Sequence, residues 1–338
     1  MPIVTICNKW LTNRHMFHFD RGLRITKIDL AVDVTRRQPR GFISHAHTDH
    51  MARHELAYCT PATAELYQHR YGPRPTHLMP FGQPLAWADC TLTTHPAGHV
   101  FGSAMLSAST SEGTLLYTGD FKLRKSATAE PAVPPRAHVL IMESTYGQPR
   151  YRLPPRDESI AQLIAIVTRA LDDGRTPVIH AYVLGKAQEV TRILTLAGIR
   201  VVQHPLIHAI SLIYERCGCD LGPLELCDGA PPADAAVVAP PRRQKAARLH
   251  GLRRPVAIGV TGWAIDPAWR WRLGVDYAVP LSDHADFDEL VECIERVQPA
   301  IIYCTHGPPE FVVFLRQRGH NAHALETCRT AKPFALFR

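Results

Sequence analysis

The six-residue stretch His45-Ala46-His47-Thr48-Asp49-His50 places three imidazoles and a carboxylate directly after an apolar run that ends at Ser44. Imidazole nitrogens and carboxylate oxygens are the ligands that Zn²⁺ and similar divalent ions take in catalytic sites. If the stretch is extended, His45, His47 and Asp49 point to one side and a turn brings His50 round. Four ligands this close cannot easily converge on one small ion, so the spacing favours two adjacent metals.

Further candidate ligands follow downstream, most of them at the end of an apolar run. His99 is flanked by glycines, which let backbone approach a metal or phosphate closely. Asp120 ends a strand-like run, His284 follows Ser282-Asp283, and His306 ends the apolar run from Ala300 to Cys304. A polar, solvated loop is the alternative for the first stretch alone, and these later residues make it a poor explanation.

Composition narrows the class of protein. The 338 residues are 46% hydrophobic and 20% charged, which is typical of a globular protein with a sizeable core. The longest apolar runs have the length of a strand, and no secretory signal is recognisable, so we expect no membrane segment. Nine cysteines without a C-x-x-C pair form a poor disulfide framework and indicate a cytoplasmic location. The formal net charge of +7 fits a polyanionic partner but does not by itself require one.

The elements that must position these residues change character along the chain. The first half contains short strands, with runs at 28–34, 113–119 and 139–142. From about Asp157, strands alternate with helices, which predicts a small parallel sheet with helical cover. The predicted helices are 159–171, 186–196, 207–214 and about 244–252; the predicted strands are 177–181, 199–202, 235–239 and 256–260. Ligand-like motifs then return, so we expect an α/β unit inserted between two halves of a metal-binding domain.

The order and spacing His45-x-His47-x-Asp49-His50, then His99, then Asp120, resembles the metallo-β-lactamase superfamily. The later motifs resemble its β-CASP branch of nucleases, in which Glu143, His284 and His306 match a strand-end acid and two histidines. Several runs look most like bacterial exonuclease-type proteins associated with DNA ligase loci; they are 184–188, 239–241, 261–263, 282–286 and 305–307. The resemblance implies an α/β fold, a metallo-β-lactamase αββα sandwich from residues 1–154 and 271–338, with an inserted β-CASP α/β domain at 155–270.

The resemblance also implies roles for the site residues. His45, His47 and His99 would hold one metal, Asp49, His50 and His306 a second, with Asp120 bridging. Zn²⁺ is the favoured ion, with Mn²⁺ or Fe as alternatives, because sites with nitrogen and oxygen ligands accept several ions. Two such ions about 3.5–4 Å apart can polarise a phosphodiester and activate water. His284 would act as general acid, Glu143 would orient a neighbouring group, and Asp49 would belong to the catalytic set.

Candidate substrate contacts are Ser103, Lys186, Arg242, Arg243 and Lys245. Lys186 stands out because it opens a predicted helix after a strand, where backbone N–H groups also attract phosphate. A solvated surface position is the alternative for each basic residue.

The predicted function is a two-metal nuclease that hydrolyses DNA, from an end, in repair or end processing, with a functional association with DNA ligase or helicase. The first alternative is a β-CASP ribonuclease, because the family's RNA-processing members share a histidine at the position of His306. A small-molecule metallohydrolase is a further alternative, although such enzymes do not need the α/β insert. A binding protein without catalysis is the last one, and it would ordinarily lack some ligands.

Overall fold

Three sheets organise the computed structural model, which describes residues 16–19, 22–241 and 249–325. The first sheet has six strands in chain order, antiparallel from the first to the third and parallel from there on. They are β1 (Phe17–Phe19), β2 (Leu23–Ile25), β3 (Leu30–Val32), β4 (Arg40–Phe42), β5 (Leu56–Cys59) and β6 (Thr76–Leu78). Helix α1 (Pro61–Tyr71) follows β5 and begins at Thr60, whose side chain accepts a hydrogen bond from the amide of Thr63.

The second sheet brings together strands from both ends of the chain, in the order β19-β18-β11-β10-β9-β8-β7. Strand β11 lies parallel to β18, although the whole third sheet lies between them in sequence. The bounds are β7 (Leu85–Trp87), β8 (Cys90–Pro96), β9 (Ala104–Thr110), β10 (Gly113–Tyr117), β11 (Val139–Glu143), β18 (Ile301–Thr305) and β19 (Ala322–Ala324).

A core of apolar side chains lies between the first two sheets, with Leu30 and Phe42 on one side and Leu92 and Ile141 on the other. Helices α6 (Phe287–Val297) and α7 (Pro309–Gln317) cover the outer face of the second sheet, and α1 covers the first. This is the four-layer αββα arrangement of a metallo-β-lactamase fold, so the predicted fold class is confirmed.

The third sheet is parallel throughout, in the order β14-β13-β15-β12-β16-β17, and helices pack on it. The strands Ala235–Ala239 and Val256–Val260 are apolar and buried at every position, as burial on both faces requires. The bounds are α2 (Arg156–Asp172), β12 (Pro177–His180), α3 (Lys186–Leu196), β13 (Arg200–Gln203), α4 (Pro205–Arg216), β14 (Glu225–Leu226), β15 (Ala235–Ala239), β16 (Val256–Val260), α5 (Ala268–Leu273) and β17 (Tyr277–Val279).

Two predictions differ from the structure. The run at 28–34 is a strand only at Leu30–Val32, because Asp29 and Asp33 adopt left-handed backbone conformations at its ends (φ 46° and 48°). The helix predicted at about 244–252 falls mostly outside the described residues, and its described end, 249–252, is irregular. The third sheet continues to Val279, beyond the predicted insert end at 270, and the division into domains stays a prediction. Among the described residues, no helix is long and apolar enough to cross a membrane.

Candidate metal centre

The candidate ligands lie on loops at one edge of the two packed sheets. His45, His47 and His50 follow β4 in a series of turns and bends, so the stretch is not extended as predicted. His99 follows β8, Asp120 follows β10, and His306 follows β18. Because β4, β10 and β18 end at this common edge, residues far apart in sequence meet there.

Three imidazoles converge with their nitrogens facing one another. The distance between His45 Nε2 and His47 Nδ1 is 3.0 Å, and that between His47 Nδ1 and His99 Nε2 is 3.1 Å. Asp120 Oδ2 lies 3.6 Å from His45 Nε2 and 3.9 Å from His99 Nε2.

The opposite nitrogen of each ring fixes its tautomer. His47 Nε2 donates to the carbonyl of Leu184 (3.1 Å), and His99 Nδ1 donates to the carbonyl of Asp283 (2.8 Å). His45 Nδ1 lies 2.9 Å from Ser44 Oγ, whose own proton goes to a carboxylate. The facing nitrogens therefore carry lone pairs with no proton between them, which is the arrangement that a cation stabilises. These residues form a site for divalent metal.

The pKa values keep these ligands in their binding forms. Burial, reinforced by the neighbouring imidazoles, lowers the pKa of His45 well below its ordinary value and that of His99 to about 3. Burial also lowers the pKa of His47. Burial alone would raise the pKa of Asp120, but His50 and His284 outweigh it and hold the pKa well below its usual range. Neutral imidazole and ionised carboxylate are the forms that bind metal.

A second group converges on the other side of Asp120. His50 Nε2 lies 3.2 Å from Asp120 Oδ2, and His306 Nδ1 lies 4.0 Å from Asp120 Oδ1. Asp49 is 78% exposed and lies outside the converging atoms, although its Oδ2 is 3.8 Å from His50 Nε2. Its role as a ligand and catalytic residue stays a prediction.

Asp33 supports this second group, although no sequence motif indicated it. Its carboxylate accepts hydrogen bonds from the Tyr117 hydroxyl (2.8 Å) and from the amide and hydroxyl of Ser44. It also holds His50 Nδ1 at 2.8 Å, so Nε2 of that ring faces Asp120. Asp33 lies in the run predicted as a strand at 28–34, and its left-handed backbone conformation ends the strand and places the carboxylate beside His50.

His284 and Glu143 form a pair beside the metal ligands. The Glu143 oxygens lie 2.9 Å and 3.0 Å from His284 Nδ1, which leaves Nε2 of the ring for another partner. The His284 and His99 rings lie 4.6 Å apart. Burial alone would lower the pKa of His284, but the charges of Glu143 and Asp120 outweigh it and raise the pKa to about 10.

Three sequence comparisons place the chain among known proteins. Residues 272–329, which carry His284 and His306, match the family described as Zn-dependent metallo-hydrolase RNA specificity domain. A protein of Opitutus terrae named "Probable DNA ligase" is 38% identical over 311 residues, which cover 91% of this chain and 31% of that protein. The Gallus gallus protein named 5′ exonuclease Apollo is 28% identical over 306 residues, which cover 87% of this chain and 65% of that protein.

These matches support placing the chain in the β-CASP branch of the metallo-β-lactamase superfamily. The chain spans about a third of the length of the ligase relative. A crystal structure of a protein of unknown function from Enterococcus faecalis V583 has the same fold, with a TM-score of 0.56 over 80% of this chain and 75% of that one, at 14% identity.

A cleft of about 710 Å³ separates the metal ligands from the β-CASP lobe, by which we mean the third sheet with α2 to α5. His47, Asp49, Asp120 and His284 line one wall. The facing wall comes from the β-CASP lobe and includes Tyr182, Leu184, Leu206, Ile210 and Trp263. The Leu184 carbonyl that orients His47 thus comes from the lobe, so the two halves build the metal site jointly.

The structure buries two of the predicted substrate contacts, and their role in binding substrate stays a prediction. Lys186 is 1% exposed, and its Nζ lies 3.0 Å from Glu189 Oε2, so its charge is paired inside the protein. Ser103 is buried, and its Oγ accepts the amide proton of Val100 within the same turn. Arg242, Arg243 and Lys245 lie outside the described residues.

Proposed function

We propose that this protein is a two-metal-dependent nuclease that hydrolyses phosphodiester bonds of DNA, working from an end in repair or end processing. One observation carries the proposal. The converging lone pairs of His45, His47 and His99 share Asp120 with a second ligand group, on the floor of a cleft beside a Glu143–His284 pair.

The ligands fit two ions. His45, His47 and His99 would hold the first, and His50 and His306 would hold the second with Asp49, while Asp120 would contribute to both sites. Zn²⁺ suits imidazole-rich sites of this kind, and Mn²⁺ or Fe is the alternative. When bound, the ions would polarise the phosphodiester and bring a water towards ionisation near neutral pH.

The protein's own residues would position the reaction. Asp33 fixes the ring of His50, and the carbonyls of Leu184 and Asp283 fix His47 and His99. Glu143 holds Nδ1 of His284, so Nε2 can donate a proton to the leaving oxygen. His284 therefore acts as the general acid, and Glu143 positions it.

DNA is our first choice of substrate because one relative bears the name "Probable DNA ligase", and action from an end is proposed because another is named 5′ exonuclease Apollo. The protein named "Probable DNA ligase" is about three times as long as the segment that matches this chain. A nuclease-like segment thus occurs in one chain with that protein's other parts, and on this basis we propose a functional association with a DNA ligase or helicase. RNA is the second choice, because residues 272–329 match a family described by RNA specificity. The net charge of +7 suits either.

The test combines metal counting by mass spectrometry with hydrolysis of end-labelled single-stranded DNA, RNA of the same sequence and a generic ester. We expect about two ions per chain and release of nucleotides from one DNA end. A matched His45→Ala variant, prepared identically, should lose both an ion and hydrolysis, which excludes a contaminating nuclease. Marked preference for RNA would replace DNA as substrate, and hydrolysis of the ester alone would refute a nuclease.

A further inference from the structure

A row of aromatic rings leads from the candidate general acid out of the cleft. The ring centroid of Tyr146 lies 6.3 Å from that of His284 and 4.6 Å from that of Trp263. Trp263 in turn stacks on Trp269, with centroids 5.6 Å apart and planes inclined by 19°. Tyr146 and Trp263 line the cleft, whereas Trp269 belongs to helix α5 of the β-CASP lobe.

Helix α5 continues the row with alternating aromatic and cationic side chains. Its central sequence is Trp269-Arg270-Trp271-Arg272, and none of the residues from Ala268 to Leu273 is buried. The Arg272 guanidinium lies 5.4 Å from the Trp269 ring centroid, and that of Arg270 lies 4.8 Å from the Trp271 ring centroid. Trp271 itself is 74% exposed. An exposed and a half-buried tryptophan interleaved with arginines combine base stacking with phosphate attraction, the two interactions that bind unpaired nucleotides.

Besides the row of aromatic rings, a small cavity also connects α5 with the cleft. It has a volume of about 140 Å³ and opens at the carboxyl ends of β12 and β16, where open parallel sheets bind ligands. Trp269 and Tyr182 form part of its wall, and Tyr182 and Thr261 also line the cleft. The cavity is mostly apolar, which suits the flat face of a nucleobase better than a phosphate.

We propose that α5 and this cavity form a second binding surface, which holds an unpaired segment of the nucleic-acid strand whose end lies in the cleft. The inference rests on the proposed function and adds a substrate class, namely single-stranded or frayed ends. Continuity with the cleft and the charges of Arg270 and Arg272 favour nucleic acid as the occupant.

The first test is Trp271→Ala, with Leu196→Ala as control because Leu196 is an apolar residue of the same lobe that is 66% exposed. The substrates are a long single-stranded DNA oligonucleotide and a dinucleotide. We expect the ratio of KM for the long strand to KM for the dinucleotide to rise about 5- to 150-fold, the loss of one stacked base. Leu196→Ala should leave the ratio unchanged. An unchanged ratio in Trp271→Ala would overturn the inference.

The second test measures binding without hydrolysis, by fluorescence anisotropy of labelled single-stranded DNA at several salt concentrations. Arg270→Ala/Arg272→Ala should reduce the slope of log affinity against log salt by about 0.7 per phosphate contact removed. Arg318→Ala is the control, since Arg318 also lies over an aromatic ring, that of Phe314 on α7. Equal slopes in all three proteins would exclude Arg270 and Arg272 from nucleic-acid binding and overturn the inference. The anisotropy measures binding even if the wild-type protein hydrolyses no DNA. The test therefore distinguishes failure of this inference from failure of the proposed function.

Discussion

Glu189→Gln tests how the β-CASP lobe is held against the metal site. The Glu189 carboxylate is 3% exposed and lies between the two halves of the protein. It pairs with Arg156 at 2.9 Å, Lys186 at 3.0 Å and Lys122 at 3.3 Å, and accepts a hydrogen bond from Ser126. Burial alone would raise its pKa, but the cations outweigh burial and hold the pKa well below its ordinary value of 4.5.

The expected cost follows from what remains after the substitution. The neutral amide of the Glu189→Gln variant would leave three buried or half-buried cations with one carboxylate nearby, Asp283, whose Oδ2 is 3.9 Å from Lys186 Nζ. Breaking a buried pair by removing one partner costs about 3–5 kcal/mol. Because Lys186 can turn to Asp283 and Lys122 keeps the Ser282 carbonyl, we expect the lower end, about 3 kcal/mol.

The assay is urea unfolding followed by circular dichroism, with Lys186→Met as the matched variant. Lys186→Met removes one of three cations and leaves the carboxylate paired, so its midpoint should fall much less than that of Glu189→Gln. Ranking the two variants by their urea midpoints does not require that unfolding be two-state. Because the pKa of Glu189 is depressed in the folded protein, its contribution to stability is present above pH 4.5 and is lost at lower pH. The urea midpoints of the wild-type protein and of Glu189→Gln should therefore converge in acid. Equal midpoints at neutral pH would refute the reasoning.

Three further predictions concern the metal centre. His306→Ala should lose about one ion by mass spectrometry with an unchanged circular dichroism spectrum, because His306 is 49% exposed and the first ligand group does not use it; retention of both ions would exclude it as a ligand. His284→Ala should retain its metals and lower kcat about 10²–10⁴-fold, with a smaller loss on a phosphodiester that has a better leaving group; equal losses on both substrates would indicate positioning instead. Asp33→Asn should weaken the second ion about 10- to 100-fold in chelator competition, because the amide cannot hold His50 Nδ1 and three other donors equally well; unchanged affinity would contradict that role.

The sequence predicted well whatever depends on local patterns. The apolar run at Ala235–Ala239 and the amphipathic run at Lys186–Leu196 are the strand and helix expected, because burial and periodicity decide both. The motif histidines converge as their types and order implied. The resemblance to a family, rather than spacing alone, predicted which of them would meet.

The features that the sequence did not predict depend on contacts between segments that are distant in the chain. Asp33 reaches His50 only because its backbone adopts a left-handed conformation and because Tyr117 lies opposite. Lys186 resembled a phosphate ligand at a helix start, yet its Nζ is buried beside Glu189 of the same helix and lies 3.9 Å from Asp283 of a distant segment. The sequence shows that Lys186 can pair with Glu189 three residues later on the same helix, but it does not show that the pair is buried.

The parallel pairing of β11 with β18 has a consequence for how the protein matures on the ribosome. His306 and the closing strand of the second sheet emerge only after the third sheet has been synthesised, so the metal centre stays incomplete during most of translation. Closing so long a segment carries an entropic cost that grows with the logarithm of its length. Prior folding of the parallel sheet would shorten the segment and speed the closure. The growing chain thus acquires its complete ligand set late, at a stage when most of the protein has already been synthesised.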